Sequence, residues 1–197
     1  MFVQLIEGRT TDAEGLRRQG DRWQAEVRPG AIGYLGVTSG VTDDGRSIAI
    51  VRFESEDAAR ANGERPEQSS WWADTAKFFD GDVDFTESSD VTEFLGGGSD
   101  NAGFVQVMKV SGVDRAKVER LDASFDKVAN LRPDLLGGLR VWTGPDAYVE
   151  AAYFTSEAEA RAGEKADVPE DIQPLMAEFG EIMANTEFID LKDPQLH

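Results

Sequence analysis

Two glutamines hold matching places in a chain that repeats itself: Gln4 within Phe2-Val3-Gln4-Leu5-Ile6, and Gln106 within Phe104-Val105-Gln106-Val107-Met108. Alternate residues of a strand share a face, so each carboxamide sits among apolar side chains, where an unbonded amide is costly. Two readings are open: a satisfied amide that ties strands together, or a pocket group that orients a ligand. Arg52 shares a strand face with Ile48 and Ile50. It suits a ligand carboxylate or phenolate, or a partner among the 38 acidic residues. Tyr34 shares a face with Ile32, and the matching face of the second copy ends in Arg140 and Trp142, while Tyr153 holds the place of Arg52. Trp71 and Trp72 belong to the first copy alone, since the aligned stretch Ile172-Gln173-Pro174-Leu175-Met176 has no tryptophan. They read as a pocket wall, or as helix-to-sheet packing or an interface patch.

Other chemistries are closed by residue type. There is no cysteine, hence no disulfide, no thiolate nucleophile and no cysteine metal site. The single histidine, His197, is the last residue and is expected to be a disordered end and not a ligand. Without an internal histidine no Ser/His/Asp or Cys/His arrangement can be built. No metal site is expected, because the acidic residues are too numerous for any spacing to stand out. The formal charge of −18 opposes phosphate backbones and anionic lipid, so neither nucleic acid nor membrane is expected as a partner. No stretch approaches a bilayer span and the first residues read as a strand, not a signal peptide, so a cytoplasmic protein is expected.

The elements that must position these residues come in two copies. Pro29-Gly30-Ala31-Ile32-Gly33-Tyr34-Leu35 recurs as Pro133-Asp134-Leu135-Leu136-Gly137-Gly138-Leu139, and Phe53-Glu54-Ser55-Glu56 recurs as Phe154-Thr155-Ser156-Glu157. The expected domains are a first module over 1–94, a glycine-rich linker over 95–102 and a second module over 103–197. Each reads as strand, helix, strand, strand, helix, strand. In the first module strands are expected at 2–7, 31–38, 46–53 and 82–87, with Thr11 and Glu14 forming a capping box and Asp44-Gly45 a hairpin turn. The run Gly96-Gly97-Gly98 precedes a strand and is followed by no lysine, so it lacks the setting of a phosphate loop. The class is therefore α+β: two tandem ferredoxin-like βαββαβ modules.

With the segment Val51-Arg52-Phe53-Glu54-Ser55-Glu56-Asp57-Ala58, these blocks resemble the dimeric α/β-barrel superfamily, closest to its antibiotic-biosynthesis-monooxygenase-like branch. The resemblance covers nearly the whole chain, once per module. It implies a barrel closed within one chain, as a monomeric pseudo-dimer or a homodimer of it. It also implies a cavity faced by the strand-one amide and walled by a helix tryptophan. Haem-using members depend on a ligating histidine, which no internal residue here supplies, so no cofactor is expected. The expected function is binding of a small aromatic or apolar ligand without haem. The alternative is a cofactor-independent monooxygenase acting on a phenolic or polycyclic substrate. The ligand-binding candidates are Gln4, Tyr34, Arg52, Trp71, Trp72, Gln106, Trp142 and Tyr153, with no catalytic residue assigned.

Overall fold

The computed structural model describes residues 1–197, apart from the side chain of residue 126. The chain divides into two units, Met1–Val91 with Asp193–His197, and Thr92–Lys192. In the first, strands β1 (Phe2–Arg9), β2 (Tyr34–Val41), β3 (Arg46–Phe53) and β4 (Asp84–Ser88) are joined by β10 (Gln195–Leu196) in the order β10-β2-β3-β1-β4. In the second, β5 (Val91–Phe94), β6 (Phe104–Ser111), β7 (Leu135–Trp142), β8 (Ala147–Phe154) and β9 (Glu187–Leu191) run in the order β5-β7-β8-β6-β9. The α+β modules are thus five-stranded, not four-stranded. The fifth strand of each sheet is a short segment that follows the last long strand of the other module.

Local chemistry accounts for the helices. Helix α1 (Ala13–Arg22) is capped by Asp12, whose carboxylate accepts the amide of Gly15 at 2.7 Å, while the Thr10 hydroxyl accepts the amide of Asp12 at 2.9 Å. The cap thus lies one residue beyond the expected Thr11, because the Thr10 hydroxyl fixes the turn that aims the aspartate. Ser55 and Ser156 cap the matched helices α2 (Glu56–Gly63) and α6 (Glu157–Gly163) by accepting amides three residues on, at 3.1 and 3.2 Å. Pro66 opens α3 (Pro66–Thr75), where its missing N–H costs nothing. In the second unit α4 (Arg115–Asp122), α5 (Phe125–Ala129) and α7 (Gln173–Ile182) hold the corresponding places. No helix is long and apolar enough to cross a membrane.

Register decides which side chains meet. The β2–β3 pairing slips between Tyr34 and Gly36, leaving Leu35 as a bulge that is 48% exposed. Without the extra residue Tyr34 would share a face with Thr38; with it, Tyr34 joins Val37 and Ser39. The same slip recurs between Leu135 and Gly137. The other face of the first sheet carries Val3, Leu5, Ile48 and Ile50, all buried.

An excess of negative charge opposes compaction. Raising ionic strength shortens the screening length from about 30 Å at 0.01 M to about 8 Å at 0.15 M. The thermal midpoint followed by circular dichroism is expected to rise over that range. A fall would mean that the exposed ion pairs outweigh the repulsion.

Candidate functional site

A cavity of about 470 Å³ opens between the first sheet and its helices. Its floor is small or slender: Ile6, Val37, Ser39, Ala49 and Val51, with Gln4 beside them. Its roof is aromatic. After α1 the chain makes a π-helical turn, Trp23–Val27, and buries Trp23 over the sheet. The Trp23 indole donates to Gln68 Oε1 at 2.7 Å, and the Trp71 indole donates to the Gln19 carbonyl at 2.8 Å, so both rings are held. Arg22 and Asp74, 2.9 Å apart, tie α1 to α3.

The rings form a chain. Phe53 to Tyr34 is 6.1 Å, Tyr34 to Trp23 is 4.7 Å, Trp23 to Trp71 is 6.4 Å, Trp71 to Trp72 is 6.0 Å and Trp72 to Phe79 is 6.0 Å. Every member lines the cavity. Neutral polar groups punctuate this apolar wall. Gln24 donates to the Tyr34 hydroxyl at 3.3 Å. The buried Asn62 accepts from Arg65 at 3.1 Å, and its amide nitrogen donates to no described group. Gln4 donates to Glu87 at 2.6 Å, across the β1–β4 pairing.

Residues 193–197 supply the remaining wall. Gln195 stands opposite Ser39, and the backbone N–H groups of His197 and Val37 donate to each other's carbonyls at 3.0 and 2.6 Å. Arg17 grips Asp193 through the carboxylate at 2.6 Å and the carbonyl at 2.8 Å. The Gln195 amide donates to the Arg17 carbonyl at 3.2 Å and to Asp21 at 3.1 Å. Gly20 makes room for this contact, since a Cβ there would lie 2.9 Å from Gln195 Oε1. His197 is therefore a held cavity residue, not the disordered end that its position suggested.

The structure brings Gln4, Tyr34, Trp71 and Trp72 to this cavity, and not Arg52. Arg52 pairs with Val3 while Val51 pairs with Gln4, so strand alternation turns the guanidinium to the other face. Its Nε is buried without a hydrogen-bond partner. Gln106 is a cross-strand tie in the second unit, donating to Asp190 at 3.0 Å. Trp23, Asn62 and Gln195 escaped the sequence reading, and His197 was read there only as a loose end. Gln195 and His197 depend on a two-residue strand with no pattern of its own.

The second unit fills the equivalent space. Where β2 and β3 carry Ser39, Val41, Ser47 and Ala49, β7 and β8 carry Arg140, Trp142, Tyr148 and Glu150. Arg140 donates to both oxygens of Asp122 at 2.9 and 2.7 Å and to Glu150 at 2.7 Å. Its guanidinium lies 4.7 Å from the Tyr148 ring and 4.9 Å from the Phe94 ring. Trp142 packs on Tyr148 at 5.1 Å within a core that includes Met108, Leu121 and Ile182. Tyr153 is not part of this filling: it lies on the opposite strand face with Val149 and Ala151, fully buried. Burial pushes the Glu150 carboxyl upward, against the pull of Arg140, whose charge Asp122 shares. Burial works against the Arg140 charge too, but its two carboxylates outweigh it and hold the guanidinium above its usual value.

No family model and no curated protein sequence matches the chain. Solved structures do. A candidate monooxygenase from Fusobacterium nucleatum subsp. nucleatum superposes with a TM-score of 0.76 at 10% identity, over 100% of this chain and 93% of that one. A candidate monooxygenase from Lactobacillus acidophilus NCFM gives 0.71 at 13% identity, over 100% and 99%. An anthrone oxidase-like protein gives 0.66 at 11% identity, over 100% and 92%. The shared feature is the fold, two like modules carried in one chain.

Replacing Arg140 with methionine removes the cation and strands two carboxylates. At neutral pH a loss of about 3–5 kcal/mol is expected in urea unfolding. The Glu150 carboxyl, already raised in the folded state, would rise further, so it binds its proton more readily folded than unfolded. Its contribution is retained at pH values below the unfolded carboxylate range and lost as pH climbs through the folded value. The deficit of the variant should therefore shrink on acidification. A deficit that grew would assign the instability elsewhere.

Proposed function

We propose that the first unit binds one planar aromatic molecule per chain, in the cavity between its sheet and the Trp23–Trp71–Trp72 wall. The observation that carries this reading is the contrast between the repeats: one has small floor residues under a chain of rings, the other an ion cluster in the same volume. Stacking faces on one side and slender aliphatics on the other suit a ligand of two or three fused rings, and about 470 Å³ is a size typical of small-molecule sites. The groups that would orient it are neutral: Asn62 and the Tyr34 hydroxyl, with Gln4 beside the floor. They suit hydroxyl and carbonyl substituents. Haem does not fit this lining. Its two carboxylates call for cations, and the one arginine on the wall, Arg17, is already held by Asp193.

A second reading is cofactor-independent oxygenation, favoured by the fold shared over the whole chain with an anthrone oxidase-like protein and two candidate monooxygenases. Here an ionised phenolic or anthrone-type substrate would itself reduce dioxygen. One ring carbon would give up two hydrogens and take one oxygen atom, and the second oxygen would leave as water. The chain's part is to stabilise the anion with Asn62 and Tyr34 and to hold the ring against Trp71.

Titration with 7-hydroxycoumarin should quench tryptophan fluorescence and saturate at one molecule per chain. Trp71→Ala should weaken binding by about 1–3 kcal/mol through lost stacking and burial, with Trp71→Phe recovering much of it. Filling the floor by Ala49→Leu should cost tenfold or more in affinity while the circular dichroism spectrum is kept. Saturation at two equal sites, or unchanged affinity in both Trp71→Ala and Ala49→Leu, would remove the cavity from consideration. Oxygen uptake with anthrone, at one dioxygen per anthraquinone formed and abolished by Ala49→Leu, tests the second reading.

A further inference from the structure

We propose that His197 is the proton acceptor of the first unit's cavity, taking the proton of a bound ligand's hydroxyl; this rests on the reading of that cavity as a site for aromatic ligands. Position comes first. The backbone pairing with Val37 extends β10 by one residue, so Gln195 and His197 share the face of Ser39 and Val37, which is the cavity face. The Arg17–Asp193 and Gln195–Asp21 contacts fasten the same segment to α1, so the imidazole is carried on backbone fixed from two sides.

The second unit shows where a side chain at this place points. Counted from Phe85 and Phe188, which hold the same place in β4 and β9, the counterpart of His197 is Phe94. The Phe94 ring lies 3.3 Å from where a Cβ of Gly138 would be and stacks over Arg140 at 4.9 Å, inside the space that is open in the first unit. The two repeats thus aim matching residues into matching volumes. One is a ring that closes its volume. The other is the only imidazole in the chain.

No other group there is as well suited. The titratable and charged groups on the surrounding elements are Glu14, Arg17 and Asp21 of α1, Tyr34 of β2, Arg52 of β3 and Asp193 on the segment itself. Arg17 and Asp193 neutralise one another, and Arg52 belongs to the other sheet face. Carboxylates such as Glu14 and Asp21 are ordinarily weaker bases than imidazole for a phenol's proton, and Tyr34 is a weak acid that cannot accept a proton as a phenol. Imidazole is the side chain that ordinarily changes charge between pH 5 and 8, which matches a base that must be empty when ligand arrives. In the transfer the ligand O–H bond breaks and an imidazole N–H bond forms. A neutral pair becomes a phenolate beside an imidazolium, with no change of oxidation state.

Because the chain has one histidine, its ring Cε1–H proton resonance reports on His197 alone. Its pH titration is to be followed by NMR in the free protein, with saturating 7-hydroxycoumarin, and with coumarin, which lacks the hydroxyl. The hydroxylated dye should raise the midpoint by about one pH unit, as an opposite charge within reach of an imidazole does, and coumarin should not. The bound dye should absorb as its phenolate at a pH where the free dye is neutral. In His197→Gln, which keeps the backbone pairing, the dye should still quench tryptophan but show about tenfold less phenolate, the equivalent of that one unit. Quenching with an unmoved imidazole titration, or with equal phenolate in His197→Gln, overturns this assignment alone. Absence of quenching in the parent protein overturns the ligand reading and this assignment together.

Discussion

Two backbone hydrogen bonds between Val37 and His197 decide what the first unit can enclose. They seat the last five residues against the free edge of β2, a strand that would otherwise present unpaired N–H and C=O groups. Once seated, the segment offers Gln195 to α1, and the glycine at position 20 lets the amide lie on the helix backbone. Sheet edge and helix are then bridged by a short length of extended chain, and the space beneath the tryptophans gains a wall. Without the pairing, Arg17, Gln195 and His197 would be unrelated surface groups.

The same backbone plan serves two ends because a few floor positions differ in volume and charge. Serine and alanine at 39 and 49 leave space that arginine and glutamate at 140 and 150 consume. A buried cation between two carboxylates is seldom a bargain in free energy, since desolvation offsets most of the attraction. Its geometry is demanding, though: a guanidinium bonded three ways and sandwiched between Phe94 and Tyr148 has a single arrangement. That cluster makes the second unit a filled copy. The first copy spends its aromatic residues on a wall instead of a plug.

Much of the plan was legible in residues. The matched blocks around Phe2 and Phe104, and around Phe53 and Phe154, marked both modules, because a strand with period two and a serine-capped helix leave a local imprint. What stayed hidden was non-local. A bulge at Leu35 reverses facing by a single residue and leaves no compositional trace, so the relation of Tyr34 to Val37 could not be read. Arg52 was singled out for its isoleucine neighbours, yet one step of alternation separates its face from that of Gln4. The Arg140–Glu150 pair lies across a strand register, where any of many carboxylates was an equal partner beforehand. Strands β5 and β10 are four and two residues long and depend on their partners for any identity.

The crossing of those short strands bears on how the molecule comes into being. During synthesis β1 to β4 emerge early and can pair among themselves, but Leu196 meets Thr38 only after more than 150 intervening residues have left the ribosome. Closing so long a loop is slow, and until it happens the β2 edge stays open to other nascent chains. The first half of the protein thus waits, partly assembled, for a segment that is made only after the second half.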